Sequence, residues 1–159
     1  MAILNVMSGV PGCGKSTYIA RHKGPVDAVI SRDVIRAQIA SKYNSDDPYF
    51  MHEKEVYREF THQIDEAGLV YDTVWADATH LNHKSLNKLF YNINTKEFSE
   101  IHIICIEASL EKCLAQNALR TGKARVPEDS IKSMYASYRR PTLNEFDYLN
   151  VEIEVINCG

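Results

Sequence analysis

The sequence predicts an α/β fold in which a parallel β-sheet is flanked by helices on both faces. Short apolar runs alternate with amphipathic segments along the chain, and continuous apolar strands separated by helices are typical of a parallel sheet buried on both sides. The 159 residues are enough for one domain with a sizeable core. We therefore expect a single domain over residues 1–159, without internal repeats or linkers.

Local signals place the boundaries of several elements. Pro48 follows a turn-like stretch that begins at residue 43 and favours the start of a helix. Gly68 is expected to end that helix at its C′ position. Ser109 and Pro127 are expected to begin two later helices, and Pro141 to stop the second of them. The predicted strands are residues 2–8, 27–30, 69–75, 101–106 and 151–156, and the predicted helices are residues 15–23, 33–40, 48–67, 84–92, 109–120 and 127–140.

Composition and charge favour a cytoplasmic protein without a membrane segment. The net charge is −3 and the isoelectric point is near 6.1, so a nucleic-acid partner would require a local basic patch. No apolar run approaches the ~20 residues needed to cross a bilayer. The apolar N-terminal stretch is too short for a signal peptide and lacks a basic lead. Four cysteines show no paired spacing of a metal or redox type.

Residues 9–17 read Gly-Val-Pro-Gly-Cys-Gly-Lys-Ser-Thr and lie between the first strand and the first helix. They match the G-x-x-x-x-G-K-[ST] pattern of a phosphate-binding loop, the P-loop. The glycines allow backbone N–H groups to face phosphate oxygens, and the helix N-terminus adds partial positive charge. Lys15 is expected to reach the β- and γ-phosphates, and the Ser16 hydroxyl to ligate Mg²⁺. The predicted ATP-binding residues are Gly12, Cys13, Gly14, Lys15, Ser16 and Thr17.

The stretch Ser-Arg-Asp-Val-Ile-Arg at residues 31–36 follows the second strand. In an open α/β sheet this is the carboxyl edge beside the P-loop, where ligands bind. Asp33 is therefore a candidate general base for an acceptor hydroxyl. Arg36, one helical turn on, is a candidate grip for an acceptor phosphate. The alternative is that Asp33 only caps a helix and Arg36 lies on a solvated face.

Residues 74–80, Val-Trp-Ala-Asp-Ala-Thr-His, end the third strand. Asp77 is a candidate for the Walker-B carboxylate that orients Mg²⁺ or its waters. It equally fits an acid that closes a strand and caps the next turn. Thr79 and His80 are weaker candidates for contact with an acceptor, because a lone histidine in a loop is more often simply solvated.

Residues 120–127 carry three cations in six residues around Gly122. A short basic connection at this place in a P-loop kinase indicates a lid, here about residues 118–128. Arg120 would then bind the nucleotide and stabilise charge on the transferred phosphoryl group, while closure excludes water. The alternative is a solvated basic turn that favours the C-terminus of the preceding helix.

In order and spacing, three segments resemble the kinase domain of the phage polynucleotide 5′-kinase/3′-phosphatase family. They are residues 9–17, residues 31–36, and residues 120–127 followed by Ser-Met-Tyr-Ala-Ser-Tyr-Arg at 133–139. The resemblance runs from the first strand to Arg139. It implies a P-loop kinase fold and transfer of the ATP γ-phosphate to the 5′-hydroxyl end of DNA or RNA. It also implies the host cytoplasm if the protein is phage-encoded.

The resemblance also assigns roles to individual residues. It implies that Lys15 and Ser16 handle phosphates and metal, that Asp33 is the general base, that Arg36 holds the acceptor's 3′-phosphate, and that Arg120 is the lid arginine. This sequence has one extra residue between that arginine and the Val-Pro pair. Ala78 also separates the third-strand acid from the threonine, which are adjacent in the family. Within these 159 residues we expect no counterpart of the phosphatase half.

Two other functions fit the same motifs. A small-molecule kinase acting on a nucleoside, nucleotide or metabolite would use Asp33 in the same way, and the acidic isoelectric point keeps this open. A regulatory module would bind nucleotide without transferring phosphate. A regulatory module has no need for Asp33 and Arg36 opposite the γ-phosphate, so these two residues favour an enzyme.

Overall fold

A computed structural model describes residues 1–43, 48, 51–122 and 125–158. In that part of the chain five parallel strands form one sheet in the order β2-β3-β1-β4-β5. The strands are β1 (Ala2–Ser8), β2 (Ala28–Ser31), β3 (Thr73–Asp77), β4 (Phe98–Glu107) and β5 (Val151–Asn157). The helices are α1 (Lys15–His22), α2 (Arg32–Ala40), α3 (Glu53–Val70), α4 (His83–Asn92), α5 (Leu110–Ala118) and α6 (Glu128–Ser137), with 3₁₀ turns at Thr95–Glu97 and Leu143–Phe146.

Strands β1 and β3 and the second half of β4 are largely apolar because both faces of the sheet are buried there, whereas the edge strand β5 alternates with exposed glutamates. Successive side chains of a strand point to opposite faces, and in β4 Ile103 and Cys105 join one apolar cluster while Ile104 and Ile106 join the other. Helices α2, α3 and α4 contribute to the first cluster, and α1, α5 and α6 to the second. The predicted α/β fold with helices on both faces is confirmed.

The strand order places the end of β1 at the centre of the sheet. From β1 the chain crosses to the edge strand β2, returns to β3, and only then reaches β4 on the other side of β1. Ligands bind in the crevice outside the carboxyl ends of the strands where the direction of winding changes. Ser31 pairs in register with Asp77, so the segments that follow β2 and β3 meet at this same edge.

Several predicted boundaries were wrong. Helix α3 begins at Glu53 rather than Pro48 and runs through Gly68 to Val70. A Cβ on Gly68 would lie 2.7 Å from Glu97 Oε2 and 2.8 Å from the Phe98 ring, so this glycine allows close packing rather than a helix end. Strand β3 consequently starts at Thr73, not at residue 69.

The last helix also ends earlier than expected, at Ser137, because residue 138 is already extended. Ser109 caps α5 as predicted, accepting a hydrogen bond from the Lys112 N–H at 3.1 Å. Residues 44–47 of the predicted turn and residues 49–50 of the predicted helix lie outside the described residues. None of the helices described has the length and apolar character needed to cross a membrane.

Candidate functional site

An open cavity at the carboxyl edge of the sheet contains nearly all of the predicted site residues. It is lined from one side by the P-loop and from the other by the residues that follow β2 and β3. The predicted residues in its wall are Gly12, Gly14, Lys15, Ser16, Thr17, Asp33, Arg36, Asp77, Thr79 and Arg120. Cys13 is buried at 1% exposure and is absent from the described wall. The fold therefore brings together residues that are more than 100 positions apart in the chain.

The backbone of the P-loop has a shape that only glycine allows at two positions. Gly12 and Gly14 have φ angles of 83° and 109°, a region that side chains disfavour. A Cβ on Gly12 would also lie 2.4 Å from the carbonyl oxygen of Cys113. The P-loop therefore packs directly against the backbone of α5 at Cys113, and this contact restricts its conformation.

Lys15 and the start of α1 form the anion-binding part of the loop. Lys15 is 8% exposed, and its Nζ donates to the Gly9 oxygen at 2.8 Å and the Val10 oxygen at 3.0 Å. Gly14 is the N-cap of α1 and has no side chain to accept from the N–H groups of the first turn. Such N–H groups at a helix N-terminus bind phosphate. The loop therefore fits a nucleotide phosphate.

Ser16 and Asp77 supply oxygen atoms beside this anion site. The Ser16 hydroxyl donates to Asp77 Oδ2 at 2.9 Å. Burial raises the pKa of the Asp77 carboxyl, while the charge of Lys15 and the hydrogen bond from Ser16 act in the opposite direction. Hydroxyl and carboxylate oxygens are the donors that Mg²⁺ prefers, together with substrate phosphates and water. The pair fits a magnesium ion that arrives with the nucleotide.

On the other side of the cavity, Asp33 and Arg36 belong to an ion-pair network. The Arg36 guanidinium donates to Glu53 through Nε at 2.6 Å and Nη2 at 3.1 Å, and pairs with Asp33 through Nη1. Arg32 Nη2 reaches the same Glu53 at 2.9 Å. The Arg36 side chain is 12% exposed and that of Asp33 is 65% exposed. The network presents an accessible carboxylate beside a held guanidinium.

Two alternatives for this segment were that Asp33 only caps a helix and that Arg36 lies on a solvated face, and both were wrong. Ser31, not Asp33, caps α2, because its hydroxyl accepts from the Val34 N–H at 3.3 Å. Arg36 does not face solvent but is held by Glu53. Glu53 itself was missed by the sequence reasoning. It lies 17 residues from Arg36 in an ordinary acidic first turn of α3, and the sequence carries no signal for that contact.

The loop after β3 is hydrogen-bonded to the end of β1. Thr79 accepts a hydrogen bond from the Gly9 N–H through its backbone oxygen at 2.7 Å. His80 is 3% exposed, its Nδ1 lies 2.8 Å from the Met7 oxygen, and its own oxygen accepts from Ser8 Oγ at 2.6 Å. Burial lowers the pKa of His80 to about 4, so the neutral ring donates to Met7. The interpretation of His80 as a solvated loop residue was wrong.

Arg120 reaches the cavity from the end of α5. Its backbone N–H donates to the Asn117 oxygen at 3.0 Å. The Asn117 side chain is buried and makes two hydrogen bonds to the backbone of Val126, at 2.7 and 2.9 Å. The two ends of the basic connection are therefore tied together. The predicted lid over residues 118–128 includes Lys123 and Ala124, which lie outside the described residues.

Solved structures with similar folds include a chain of an RNA repair complex, a putative kinase and a sugar kinase. The chain matches a chain of the Pnkp1/Rnl/Hen1 RNA repair complex with 21% identity and a TM-score of 0.66, over 92% of this chain and 47% of that one. It matches a putative kinase from Chloroflexus aurantiacus J-10-fl with 16% identity and a TM-score of 0.67, over 98% and 88% of the two chains. A sugar kinase from Janibacter sp. HTCC2649 matches with 18% identity and a TM-score of 0.57, over 99% and 85%.

These matches establish the fold. The chain spans about half the length of the RNA repair chain and most of the length of the other two. The sheet order and the P-loop at the end of β1 agree with a P-loop kinase-like fold. A family model described as an AAA domain (AAA_33) matches residues 4–141, and the chain belongs to this family.

Proposed function

We propose that the protein transfers the γ-phosphate of ATP to the 5′-hydroxyl end of a DNA or RNA strand. The observation that carries the proposal is that a P-loop, the exposed Asp33 carboxylate and the Arg36 guanidinium line one cavity. The resemblance of the three sequence segments to phage polynucleotide 5′-kinases supports this acceptor. The match to a chain of an RNA repair complex agrees with it.

On the donor side, the chain's own residues bind and orient ATP. Lys15 exchanges its contacts with loop carbonyl oxygens for oxygens of the β- and γ-phosphates, and the first-turn N–H groups of α1 hold the same phosphates. Ser16 and Asp77, whose hydroxyl and carboxylate oxygens lie side by side, would hold the magnesium ion and its waters. Bound Mg²⁺ supplies neutralisation of phosphate charge.

On the acceptor side, Asp33 accepts the proton of the 5′-hydroxyl as the oxygen attacks the γ-phosphorus in line, the bond from the γ-phosphorus to the β,γ-bridging oxygen breaks, and ADP leaves. Arg36 lies between Asp33 and Glu53, so an acceptor phosphate that binds the guanidinium competes with Asp33 for it. That exchange turns the carboxylate toward the hydroxyl. Thr79 completes the acceptor wall, and Arg120 stabilises charge on the transferred group from the side of α5.

Labelled ATP and a 5′-hydroxyl oligonucleotide test this function. Asp33→Asn keeps the shape of the side chain but removes the base, so we expect transfer to fall by about 10²–10⁴-fold with ATP binding retained. Asp147→Asn is the matched control, because Asp147 is exposed at the end of the second 3₁₀ turn. ATP binding without transfer to any acceptor would favour a regulatory module instead.

A second variant tests the acceptor grip. Arg36→Ala is expected to weaken the use of the oligonucleotide far more than the binding of ATP, because Arg36 is paired with Asp33 and Glu53 on the acceptor side of the cavity. Equal losses in both would contradict the role assigned to Arg36.

A small-molecule kinase is the second candidate. Its support is the match to a sugar kinase over 99% of this chain and the net charge of −3. The same labelling experiment separates the two, because a small-molecule kinase would label a nucleoside or a sugar and leave the oligonucleotide unlabelled.

A further inference from the structure

A second groove opens beside the proposed active site, between helices α3 and α4. We call it the Tyr57 groove; its principal lining residues are Arg32, Glu53, Lys54, Tyr57, Arg58 and Lys88. Arg32 and Glu53 also line the cavity that contains the P-loop and Asp33. The groove therefore adjoins the acceptor side of that cavity, and the Arg32–Glu53 ion pair lies at the boundary between them.

The groove is basic although the protein is acidic. Its described lining residues carry four cations and one carboxylate, whereas the whole chain has a net charge of −3. That carboxylate, Glu53, is already paired with Arg32 and Arg36. Local positive charge of this kind is what an acidic protein needs in order to hold a polyanion.

The ring of Tyr57 positions two of the cations. Lys88 Nζ lies 4.4 Å from the ring centroid and Arg32 Cζ lies 5.2 Å from it, both within cation–π range. The ring holds Lys88 in place without cancelling its charge as a carboxylate would, whereas Arg32 also pairs with Glu53. Arg32 Nε is also buried without a hydrogen-bond partner among the described residues. Buried donors are usually hydrogen-bonded, so this N–H group is available to an acceptor that enters the groove.

We propose that the Tyr57 groove holds the backbone phosphates of the acceptor strand beyond its terminal nucleotide. This inference rests on the proposed polynucleotide function, since it follows the strand away from the hydroxyl at Asp33. The first phosphate of the strand meets Arg36, and the following phosphates meet Arg32, Lys88 and Arg58 in the groove. A small acceptor ends before the groove, so the groove selects strands over mononucleotides.

Kinetics with two acceptors test the groove. A mononucleoside 3′-phosphate reaches only Arg36, whereas a 5′-hydroxyl hexanucleotide extends into the groove. For the double variant Lys88→Gln/Arg58→Gln we expect the ratio of kcat/KM for the hexanucleotide over the mononucleotide to fall about tenfold. We also expect log kcat/KM for the hexanucleotide to depend less steeply on log salt, by about 0.7 for each phosphate that the variant no longer neutralises.

Two further variants guard against indirect effects. Lys23→Gln removes one positive charge at the end of α1, outside the groove, and is expected to leave the ratio and the salt dependence unchanged. Tyr57→Leu removes the aromatic platform but no charge, and is expected to lower the ratio in the same direction as the double variant. A ratio unchanged in both groove variants would overturn the proposal.

Direct binding of the labelled hexanucleotide without ATP, measured by fluorescence anisotropy, separates this inference from the proposed function. If the wild type transfers phosphate to no strand but binds the hexanucleotide, and Lys88→Gln/Arg58→Gln weakens that binding, the proposed function fails and the groove stands. If the wild type phosphorylates strand and mononucleotide equally and the variants bind the hexanucleotide normally, the groove fails and the proposed function stands.

Discussion

The two halves of the candidate site are built in different ways. The donor half, which is the P-loop with Asp77, is shaped by backbone: glycines with positive φ, a helix N-terminus and a lysine held by carbonyl oxygens. The acceptor half, which is Asp33, Arg36 and Glu53, is shaped by ion pairs between side chains of two helices. Backbone can be deformed only at high cost, whereas side-chain pairs can exchange partners.

This difference suggests how one site serves two substrates. Under the proposed function the donor half would bind the same triphosphate in every cycle, so a rigid loop suits it. The acceptor half would have to release Asp33 from Arg36 when an acceptor phosphate binds, so a network that can rearrange suits it. Damage to backbone geometry should therefore be costly in the donor half, and damage in the acceptor half should be selective for one substrate.

The largest effect is expected from Gly12→Ala. The new Cβ would require a disfavoured φ of 83° and would lie 2.4 Å from the Cys113 oxygen, so we expect a loss of about 3 kcal/mol in the free energy of unfolding and much weaker ATP binding. Urea unfolding and calorimetry measure the two quantities.

Gly122→Ala is its matched control. Gly122 also has a positive φ, 59°, but no atom lies within 4 Å of the position of its Cβ among the described residues. We expect Gly122→Ala to lower the free energy of unfolding by about 1 kcal/mol, which is the cost of the left-handed backbone conformation alone. If the two variants lose equal stability, the contact of the loop with α5 contributes nothing to its shape.

A smaller effect is expected from Asp77→Asn, which changes chemistry but not backbone in the donor half. Removing the carboxylate that accepts from Ser16 should raise the Mg²⁺ concentration for half-maximal activity by about 10–100-fold. Titration of activity with MgCl₂ at saturating ATP measures it. Asp147→Asn again serves as the control, and an unchanged Mg²⁺ requirement in Asp77→Asn would place the metal elsewhere.

In the acceptor half, Glu53→Gln should act on one substrate only. The variant keeps a hydrogen-bond acceptor for Arg36 but removes the charge, so we expect kcat/KM for the acceptor to fall about tenfold while KM for ATP stays constant. Steady-state kinetics with each substrate varied in turn separate the two. Glu55→Gln, on the same helix but paired with the Tyr43 hydroxyl, should change neither. A matching rise in KM for ATP would show that the two halves are not independent.

The donor half could be predicted from the sequence because its signals are local. Glycine spacing and a preceding apolar strand specify the P-loop within nine residues. The acceptor half was only partly predictable. Asp33 and Arg36 share a face at a spacing of three, but Glu53 reaches Arg36 through a tertiary contact.

Two other predictions were wrong because tertiary contacts are not visible in the local sequence. Gly68 reads as a helix end, and the close approach of Phe98 explains why it is not one. His80 reads as a solvated loop residue, and its burial follows from contacts with β1. Local propensity specifies elements, whereas tertiary contacts override it at the boundaries and in the site.

The smallest change in stability is expected beside the P-loop, where Glu107 and Tyr138 line a pocket together with Val10 and Cys13. We call this region the Glu107 wall, and it is held by side-chain hydrogen bonds. Glu107, at the end of β4, accepts from Arg140 at 2.7 and 2.9 Å and from the Tyr138 hydroxyl at 2.8 Å. The hydrogen bonds from Arg140 and then Tyr138 hold the pKa of Glu107 below its ordinary value. The stability that this pair contributes is therefore present above the unfolded pKa, near 4.3, and is lost as the pH falls through the folded pKa.

Between about pH 5 and pH 3 we expect the free energy of unfolding of the wild type to fall by up to about 1 kcal/mol more than that of Glu107→Gln. The expected difference is small because the Arg140 side chain is 58% exposed, and exposed ion pairs contribute little. Urea unfolding at a series of pH values measures the difference, and Glu111→Gln, an exposed acid on α5, should behave as the wild type. If Glu107→Gln keeps the full acid dependence, this wall is held by backbone and apolar contacts alone. The contrast between the P-loop, which is shaped by backbone, and the acceptor half, which is held by ion pairs, would then extend to this neighbouring region.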